Sequence, residues 1–270
     1  MRGAVLALLL AGCVASSARQ PAVPQQVAIP GPDGVTLRAL LVRATAMPVR
    51  STIIALHGCA GLAAPGRPLT LPVREADWAA RLSELGHPLL FPDSFGSRGS
   101  GGGCGQPGFP ITAARERRAD AQATARWAAA QPWAGPGGAI LLGWSDGGST
   151  MLAAAQDPPP GLFRAAVGFY PGCGDTFRLG AAWTPGVPML LLLGERDNWT
   201  AARFCQGLAR AYPDRITAHT YAGAWHDFDH PSLPLQSRTL PDGRQVSLGT
   251  DAAARTDALE RVPEWLAGLN

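Results

Sequence analysis

Apolar runs alternate with helical segments along most of this 270-residue chain. The runs are apolar at nearly every position rather than at every second one, which is typical of strands covered on both faces. They lie at 51–58, 87–93, 139–145, 164–171, 187–195 and 216–224, mostly with helices between them, including 73–85, 113–130 and a final 251–269 with an expected bend at Pro263. This alternation predicts an α/β fold, a mostly parallel sheet with helices on both faces. In such sheets the ligand site lies outside the carboxyl ends of the strands.

Two further segments frame this alternation. Residues 25–44 read as a β-hairpin that turns at "GPDG", and residues 94–110 form a glycine-rich loop in which no long helix is expected. A chain of this length with an α/β pattern is commonly one domain. We therefore predict one α/β domain at 26–270, preceded by a signal segment and linker at 1–25.

The first residues have the pattern of an export signal. One arginine, an apolar run and small residues follow in that order in "MRGAVLALLLAGCVASSARQP". The stretch "LAGC" resembles a lipobox, which predicts lipidation at Cys13 and a membrane anchor through it. Cleavage after Ala18 is the alternative and would release a soluble protein. Both interpretations place the mature chain outside the cytoplasm, in the periplasm or cell envelope or secreted.

Composition excludes several kinds of chemistry. All 23 basic residues are arginine, so a Schiff-base lysine, a phosphate-loop lysine and a serine–lysine dyad are excluded. The net charge of +3 comes without a basic block, so we expect no nucleic acid partner. No cofactor motif is present, and we expect a monomer that needs no cofactor.

The cysteines fit an oxidising compartment. Apart from Cys13, an even number remains: Cys59, Cys104, Cys173 and Cys205. Disulfides are the default interpretation for an exported chain, and no pair has the spacing of a zinc site. We therefore expect no metal site.

The stretch "GWSDGG" places Ser145 in a G-x-S-x-G pattern at a predicted strand-to-helix junction. This is the context of a nucleophile elbow, where glycines allow close approach of strand and helix while the serine adopts a strained conformation. The alternative is a glycine-rich helix start that Ser145 merely caps. The junction favours a nucleophile.

A serine nucleophile needs a base and an acid that orients the base. His226 lies just beyond the last predicted strand and is better placed than the other four histidines. Asp197 follows the preceding strand, whereas Glu195 falls where that strand is still ending. The order Ser145, Asp197, His226 is the order found in α/β-hydrolases.

Seven stretches together resemble the dienelactone hydrolase family of the α/β-hydrolase superfamily, particularly its exported members. They are "HGCAGL", "FPDSFGSRG", "GWSDGG", "FYPGCG", "LLGERDNWT", "GAWHDFD" and "TDAAARTDALERV", and the resemblance covers about residues 26–268. It implies a triad of Ser145, Asp197 and His226, with the amides of Cys59 and Asp146 as an oxyanion hole. Cytoplasmic members that open dienelactones have a cysteine nucleophile, so the serine argues against dienelactone itself as the substrate.

Four further residues are candidates for substrate binding. Arg98 lies near the position of an arginine that some family members use to hold a substrate carboxylate, and a solvated loop arginine is the alternative. Trp144, Trp199 and Trp225 adjoin the three triad positions. Each is a candidate for lining an acyl pocket or for packing in the core.

Cys59, Cys104 and Cys173 lie in loops expected at the carboxyl end of the sheet, and Cys205 lies in the first turns of the helix after Asp197, at the same end. Because neighbouring strands bring them together, we expect bridges between Cys59 and Cys104 and between Cys173 and Cys205, with buried free thiols as the alternative. The first bridge would hold the glycine-rich loop beside the oxyanion hole. The second would steady the loop of Asp197, so that reduction of either bridge would lower activity as well as stability.

These observations predict a serine hydrolase that cleaves a small-molecule carboxylic ester or lactone through an acyl-enzyme. The same triad serves serine peptidases and amidases, which is one alternative. A lipid-anchored binding protein that keeps the fold without turnover is another, of a different class.

Overall fold

The computed structural model describes residues 23–269. An eight-stranded sheet forms its centre, with the strand order β1-β2-β4-β3-β5-β6-β7-β8. The strands are β1 (Gln25–Pro30), β2 (Thr36–Val42), β3 (Ile53–Leu56), β4 (Leu89–Pro92), β5 (Ala139–Trp144), β6 (Phe163–Phe169), β7 (Met189–Gly194) and β8 (Ile216–Tyr221). β1, β2 and β4 pair antiparallel and the other neighbours pair parallel. The predicted α/β-hydrolase architecture is therefore confirmed, with an antiparallel edge made by the predicted hairpin.

Helices cover both faces of the sheet. They are α1 (Val73–Glu84), α2 (Arg118–Ala129), α3 (Asp146–Ala154), α4 (Gly174–Arg178), α5 (Ala202–Ala211) and α6 (Ala252–Ala267). The strands bury side chains on both faces. Ile54 and Leu141 pack with α2, α3 and α5, whereas the neighbouring Ile53 and Ile140 pack with α1 and α6. This double burial is why the strands are continuously apolar in the sequence.

Three details refine the sequence-based expectation. The helix predicted over 113–130 begins as a π-helical turn, Ala113–Arg117, and becomes α-helical only at Arg118. The final helix spans Ala252–Ala267 and includes Pro263, the position of the expected bend. The first strand begins at Gln25, one residue before the predicted start of the domain.

A second, two-stranded sheet was not predicted. β9 (Gln236–Thr239) and β10 (Gln245–Leu248) form an antiparallel hairpin between β8 and α6. Its turn packs on the glycine-rich loop, since a Cβ atom built on Gly105 would lie 2.7 Å from Leu240. Its second strand is held by the side chain of Asn198, which accepts a hydrogen bond from the amide of Ser247 at 2.9 Å. Within the described residues, no helix is both long and apolar enough to cross a membrane.

Candidate active site

Ser145 lies at the turn between β5 and α3, with φ 54° and ψ −115°. A non-glycine residue rarely adopts this left-handed region, and such strain is typical of functional turns. The flanking glycines make the turn possible. A Cβ atom on Gly143 would lie 2.3 Å from the carbonyl oxygen of Gly147, and one on Gly147 would lie 1.9 Å from that of Leu56. The G-x-S-x-G pattern is therefore required by backbone contacts on both sides of the serine.

The structure brings Ser145 together with the predicted base and acid. Nε2 of His226 lies 3.0 Å from Oγ of Ser145, and Nδ1 of His226 lies 2.7 Å from Oδ2 of Asp197. All three residues are buried, at 7%, 1% and 4% exposure for the serine, histidine and aspartate. Because a buried carboxylate only accepts, Nδ1 of His226 donates to Asp197 and Nε2 is free to accept the serine proton.

The carboxylate of Asp197 is saturated with donors. Its Oδ1 accepts hydrogen bonds from the amides of Trp199 and Thr200 at 2.8 and 2.9 Å. Its Oδ2 accepts from the hydroxyl of Thr200 at 2.8 Å as well as from His226. This arrangement fixes the orientation of the carboxylate and, through it, of the imidazole. Thr200 was not singled out in the sequence.

Two aromatic rings enclose the imidazole of His226. The ring of Tyr170 lies 4.4 Å from it and that of Trp199 lies 4.8 Å from it, measured between centroids. Burial lowers the pKa of His226, but the charge and hydrogen bond of Asp197 raise it, and the net pKa is above the ordinary value. A raised pKa suits a group that must take a proton and later return it.

The two predicted oxyanion donors flank Ser145. Asp146 is the first residue of α3, where a backbone amide has no acceptor within its own helix. The loop that carries Cys59 passes directly beside the serine, since a Cβ atom on Gly58 would lie 3.8 Å from Cβ of Ser145. Cys59 and Asp146 both line one cleft of about 570 Å³.

This cleft is bounded on one side by the glycine-rich loop and the π-helical turn, and on the other by α4 and the turn after it. Its apolar wall includes Phe95, Phe109, Ile111, Leu179 and Trp183. Arg118, Gln156 and Asp175 add polar groups. The cleft can therefore accept a mainly apolar acyl group beside the candidate oxyanion hole.

Both disulfides have the pairing that the sequence predicted. Cys59 is bonded to Cys104, and Cys173 is bonded to Cys205. The first bridge joins the loop after β3 to the glycine-rich loop, and the amide of Gly103 also donates to the carbonyl of Cys59 at 2.8 Å. The second joins the loop after β6 to α5.

The side chains of three other predicted residues contact partners other than the serine. Trp144 is fully buried and donates from Nε1 to Asp229 at 2.9 Å, so it packs in the core and does not line the acyl cleft. Trp225 lies against the guanidinium of Arg196 at 5.4 Å. Arg98 is partly exposed, and both its terminal nitrogens bond the buried carboxylate of Asp120 at 2.7 and 2.8 Å, so its guanidinium already has a carboxylate partner within the protein. Cys13 lies outside the described residues.

The stretch "HDFD" contains a carboxylate that the sequence analysis missed. Asp229 is fully buried and accepts from Nε1 of Trp78 and Trp144 and from the hydroxyl of Tyr170, at 2.8, 2.9 and 2.5 Å. Because the ring of Tyr170 lies against His226, Asp229 supports the imidazole indirectly. Burial raises the pKa of Asp229 despite the nearby charge of Arg74. Within residues 23–269 no three potential ligand side chains come together as a metal site would require.

Several solved structures share this fold. A dienelactone hydrolase described as putative, from Klebsiella pneumoniae, is 17% identical, with a TM-score of 0.64 over 91% of this chain and 98% of that chain. A dienelactone hydrolase-like promiscuous phosphotriesterase from metagenomic libraries is 18% identical, with a TM-score of 0.62 over 91% and 98%. A puromycin-hydrolyzing peptidase from Mycobacterium tuberculosis is 16% identical, with a TM-score of 0.63 over 92% of this chain but only 39% of its own.

No family model matches the sequence, and no curated protein matches it. The structural similarity therefore establishes the α/β-hydrolase fold, and the hydrolase names belong to the neighbours. Since these neighbours include enzymes that act on quite different bonds, the reaction must be inferred from the residues of this chain.

Proposed function

We propose that this protein is a serine hydrolase that cleaves a carboxylic ester or lactone and belongs with the dienelactone hydrolase family. The observation that carries the proposal is the hydrogen-bonded chain from Ser145 through His226 to Asp197, with the serine strained at an elbow. A buried chain of this kind activates a serine hydroxyl, and a binding protein has no need of it.

The proposed reaction begins with proton transfer from Oγ of Ser145 to Nε2 of His226. The oxygen attacks the carbonyl carbon, and the negative charge that develops on the carbonyl oxygen is held by the amides of Cys59 and Asp146. His226 then returns its proton to the departing alcohol. Water, deprotonated by the same imidazole, hydrolyses the acyl-enzyme and releases the acid. Asp197 stays ionised and stabilises the imidazolium.

The acyl group of the substrate would occupy the cleft beside Cys59 and Asp146. With about 570 Å³ and an apolar wall, the cleft has room for an acyl group of several carbons or a small ring. The described residues form a single α/β unit, and they include no propeller or large lid domain that would select peptides.

The compartment is part of the proposal. We place the protein outside the cytoplasm, supported by two disulfides, and propose a lipid anchor at Cys13. Two acyl chains give stable membrane binding where one gives only marginal binding.

The test is hydrolysis of a panel of nitrophenyl esters, lactones and matched amides by the purified protein. Ser145→Ala and His226→Ala should each lower kcat by several powers of ten, and a serine-directed phosphonate should label Ser145. The exposed Ser237 and the half-exposed His219 provide matched controls, since Ser237→Ala and His219→Ala should leave turnover unchanged. Wild-type turnover in Ser145→Ala would refute the proposal, and faster cleavage of amides than of esters would indicate a peptidase or amidase.

A further inference from the structure

Arg117 is a buried arginine that the proposed mechanism does not use. Its side chain is 1% exposed, although it lies in the run "ARERR", where solvent exposure would be expected. It is the last residue of the π-helical turn. Single π-helical turns are frequent at functional sites, and this one directs Arg117 inward.

The guanidinium of Arg117 bonds both loops that flank Ser145. Its Nη2 donates to the carbonyl oxygen of His57 at 2.6 Å, and its Nη1 forms an ion pair with the carboxylate of Asp146. The ring of Phe95 lies 5.0 Å from the centre of the guanidinium and covers it. One buried side chain therefore connects the end of β3 to the start of α3.

These contacts reach the two proposed oxyanion donors directly. Asp146 itself carries one of the donor amides. On the other loop, Nδ1 of His57 lies 2.8 Å from the carbonyl oxygen of Gly58, which can only accept, so Nδ1 carries a proton. That carbonyl belongs to the same peptide unit as the amide of Cys59, and in a trans peptide the N–H points opposite to the C=O. Holding the carbonyl of Gly58 therefore aims the amide of Cys59.

We propose that Arg117 is a positioning residue that sets the separation and direction of the two oxyanion donors. This inference rests on the proposed function. Arg117 holds the carbonyl of His57 on one side and the carboxylate of Asp146 on the other. The ring of His57 in turn holds the carbonyl of Gly58, which belongs to the next peptide. A planar fork with several donors suits this task, and a lysine with one nitrogen cannot reproduce it.

The neutral state of His57 fits this arrangement. Burial, and then the charge of Arg117, lower the pKa of His57 well below its ordinary value. Its Nε2 is buried and has no partner within the described residues. His57 therefore acts as a fixed hydrogen-bond donor to the loop and takes no part in proton transfer.

The test compares ester hydrolysis in Arg117→Lys and Arg117→Met with that in Arg164→Met. Arg164 is a partly buried arginine at the start of β6, at the opposite end of the sheet, and it bonds Ser51 and the carbonyl of Leu269. Loss of one oxyanion donor lowers kcat by about 10²–10³-fold, so misplacement of both donors should lower kcat by about 10-fold or more, with KM nearly unchanged. Arg164→Met should retain kcat.

A second readout separates positioning from general stability. Each enzyme is given a matched pair of esters, one with C=O and one with C=S at the reacting carbon. Sulfur is larger and accepts hydrogen bonds weakly, so a well-aligned oxyanion hole prefers the oxygen ester strongly. This preference is the ratio of kcat for the oxygen ester to kcat for the sulfur ester. The ratio should fall by about tenfold or more in Arg117→Met, because it depends on donors aimed at an oxygen.

The outcomes separate the two proposals. An inactive wild type would refute the proposed function before any arginine variant is tested. With an active wild type, an unchanged oxygen-to-sulfur preference in a folded Arg117→Met would overturn the positioning role, whatever happens to stability. If Arg117→Met does not fold, Asp146→Asn keeps the backbone amide and weakens the same contact. A fall in the preference supports the proposal and an unchanged preference overturns it.

Discussion

The two disulfides offer a sharp test because they should stabilise the fold about equally but affect catalysis differently. The perturbation is a pair of double variants, Cys59→Ser with Cys104→Ser and Cys173→Ser with Cys205→Ser. Each replaces a bridge with two hydroxyl groups of similar size. The second double variant is the control for the first.

The stability effect follows from the lengths of chain that the bridges close. The cysteines are 45 residues apart in the first bridge and 32 residues apart in the second. Loop-closure entropy then gives about 4.0 kcal/mol for the first bridge and about 3.7 kcal/mol for the second at 25 °C. For a domain of this size the corresponding losses in Tm are about 8–16 °C.

The catalytic effect depends on what else holds each loop. The Cys59 loop carries a proposed oxyanion donor and is tied to the glycine-rich loop by its bridge and by the hydrogen bond from the amide of Gly103 to the carbonyl of Cys59. Since one hydrogen bond holds the loop less firmly than a covalent bond, we expect kcat to fall about 10-fold or more without the bridge. The Asp197 loop keeps its own bonds, since Asp197 accepts hydrogen bonds from two amides of its own turn and from the hydroxyl of Thr200. Loss of the second bridge should therefore change kcat by no more than about threefold. The sequence alone suggests that both bridges support activity, whereas we now expect this mainly of the first.

Thermal unfolding and ester hydrolysis are measured on the same preparations, with activity assayed well below both Tm values. Similar losses in Tm with a loss of kcat confined to the Cys59 and Cys104 variant would support this reasoning. Full activity in that variant would refute the role of the bridge in catalysis. Equal losses of kcat in both variants would mean that the effect is global.

Four further predictions concern His226, Asp229 and the proposed lipid anchor. The ester kcat should rise with pH through the raised pKa of His226, because only the neutral imidazole accepts a proton. Asp197→Asn should lower kcat and shift this rise to lower pH. A rise that stays at the same pH in the variant would contradict the prediction. Because the pKa of His226 is higher in the folded than in the unfolded protein, its contribution to the free energy of unfolding is fully present below the pKa of the unfolded state. This contribution is lost as pH rises through the pKa of the folded state. Urea unfolding at a series of pH values can check this. Asp229→Asn should lower the free energy of unfolding by about 1–3 kcal/mol, since an amide cannot accept from all three buried donors, and a wild-type urea midpoint would contradict it. Fatty-acid labelling should require Cys13, and an unlabelled mature protein that begins near Arg19 would indicate ordinary secretion.

The sequence predicts the sheet and the serine elbow well because each depends on local, repeated constraints. Strands buried on both faces must be apolar at nearly every position, and glycine is the residue that fits beside Ser145. Asp197 and His226 could be found because each follows a recognisable strand. All of these signals can be read within a window of about ten residues.

The features that were missed depend on contacts distant in sequence. In "ARERR" nothing local distinguishes Arg117 from its neighbours, because its inward direction comes from the π-helical turn and from partners about 60 and 29 residues away. Asp229 is buried by three donors from separate elements. The second hairpin does carry a turn signal, "PDG" at 241–243, but its first strand is polar and mostly exposed, so it lacks the alternation that marks a half-buried strand.

The hairpin after β8 has a mechanical consequence for the site. It is attached at three points: Gly249 donates to the carbonyl of His226 at 2.9 Å, Asn198 bonds the second strand, and Leu240 packs on Gly105 beside the first disulfide. The loops that carry the base, the acid and one oxyanion donor are thus all connected to the same hairpin. We expect these loops to fluctuate together rather than separately, so that the entrance keeps one shape during turnover. Substrates would then be selected by whether they fit a rigid opening, and substitutions at the three attachment points of the hairpin would change which esters enter without changing how the bond is broken.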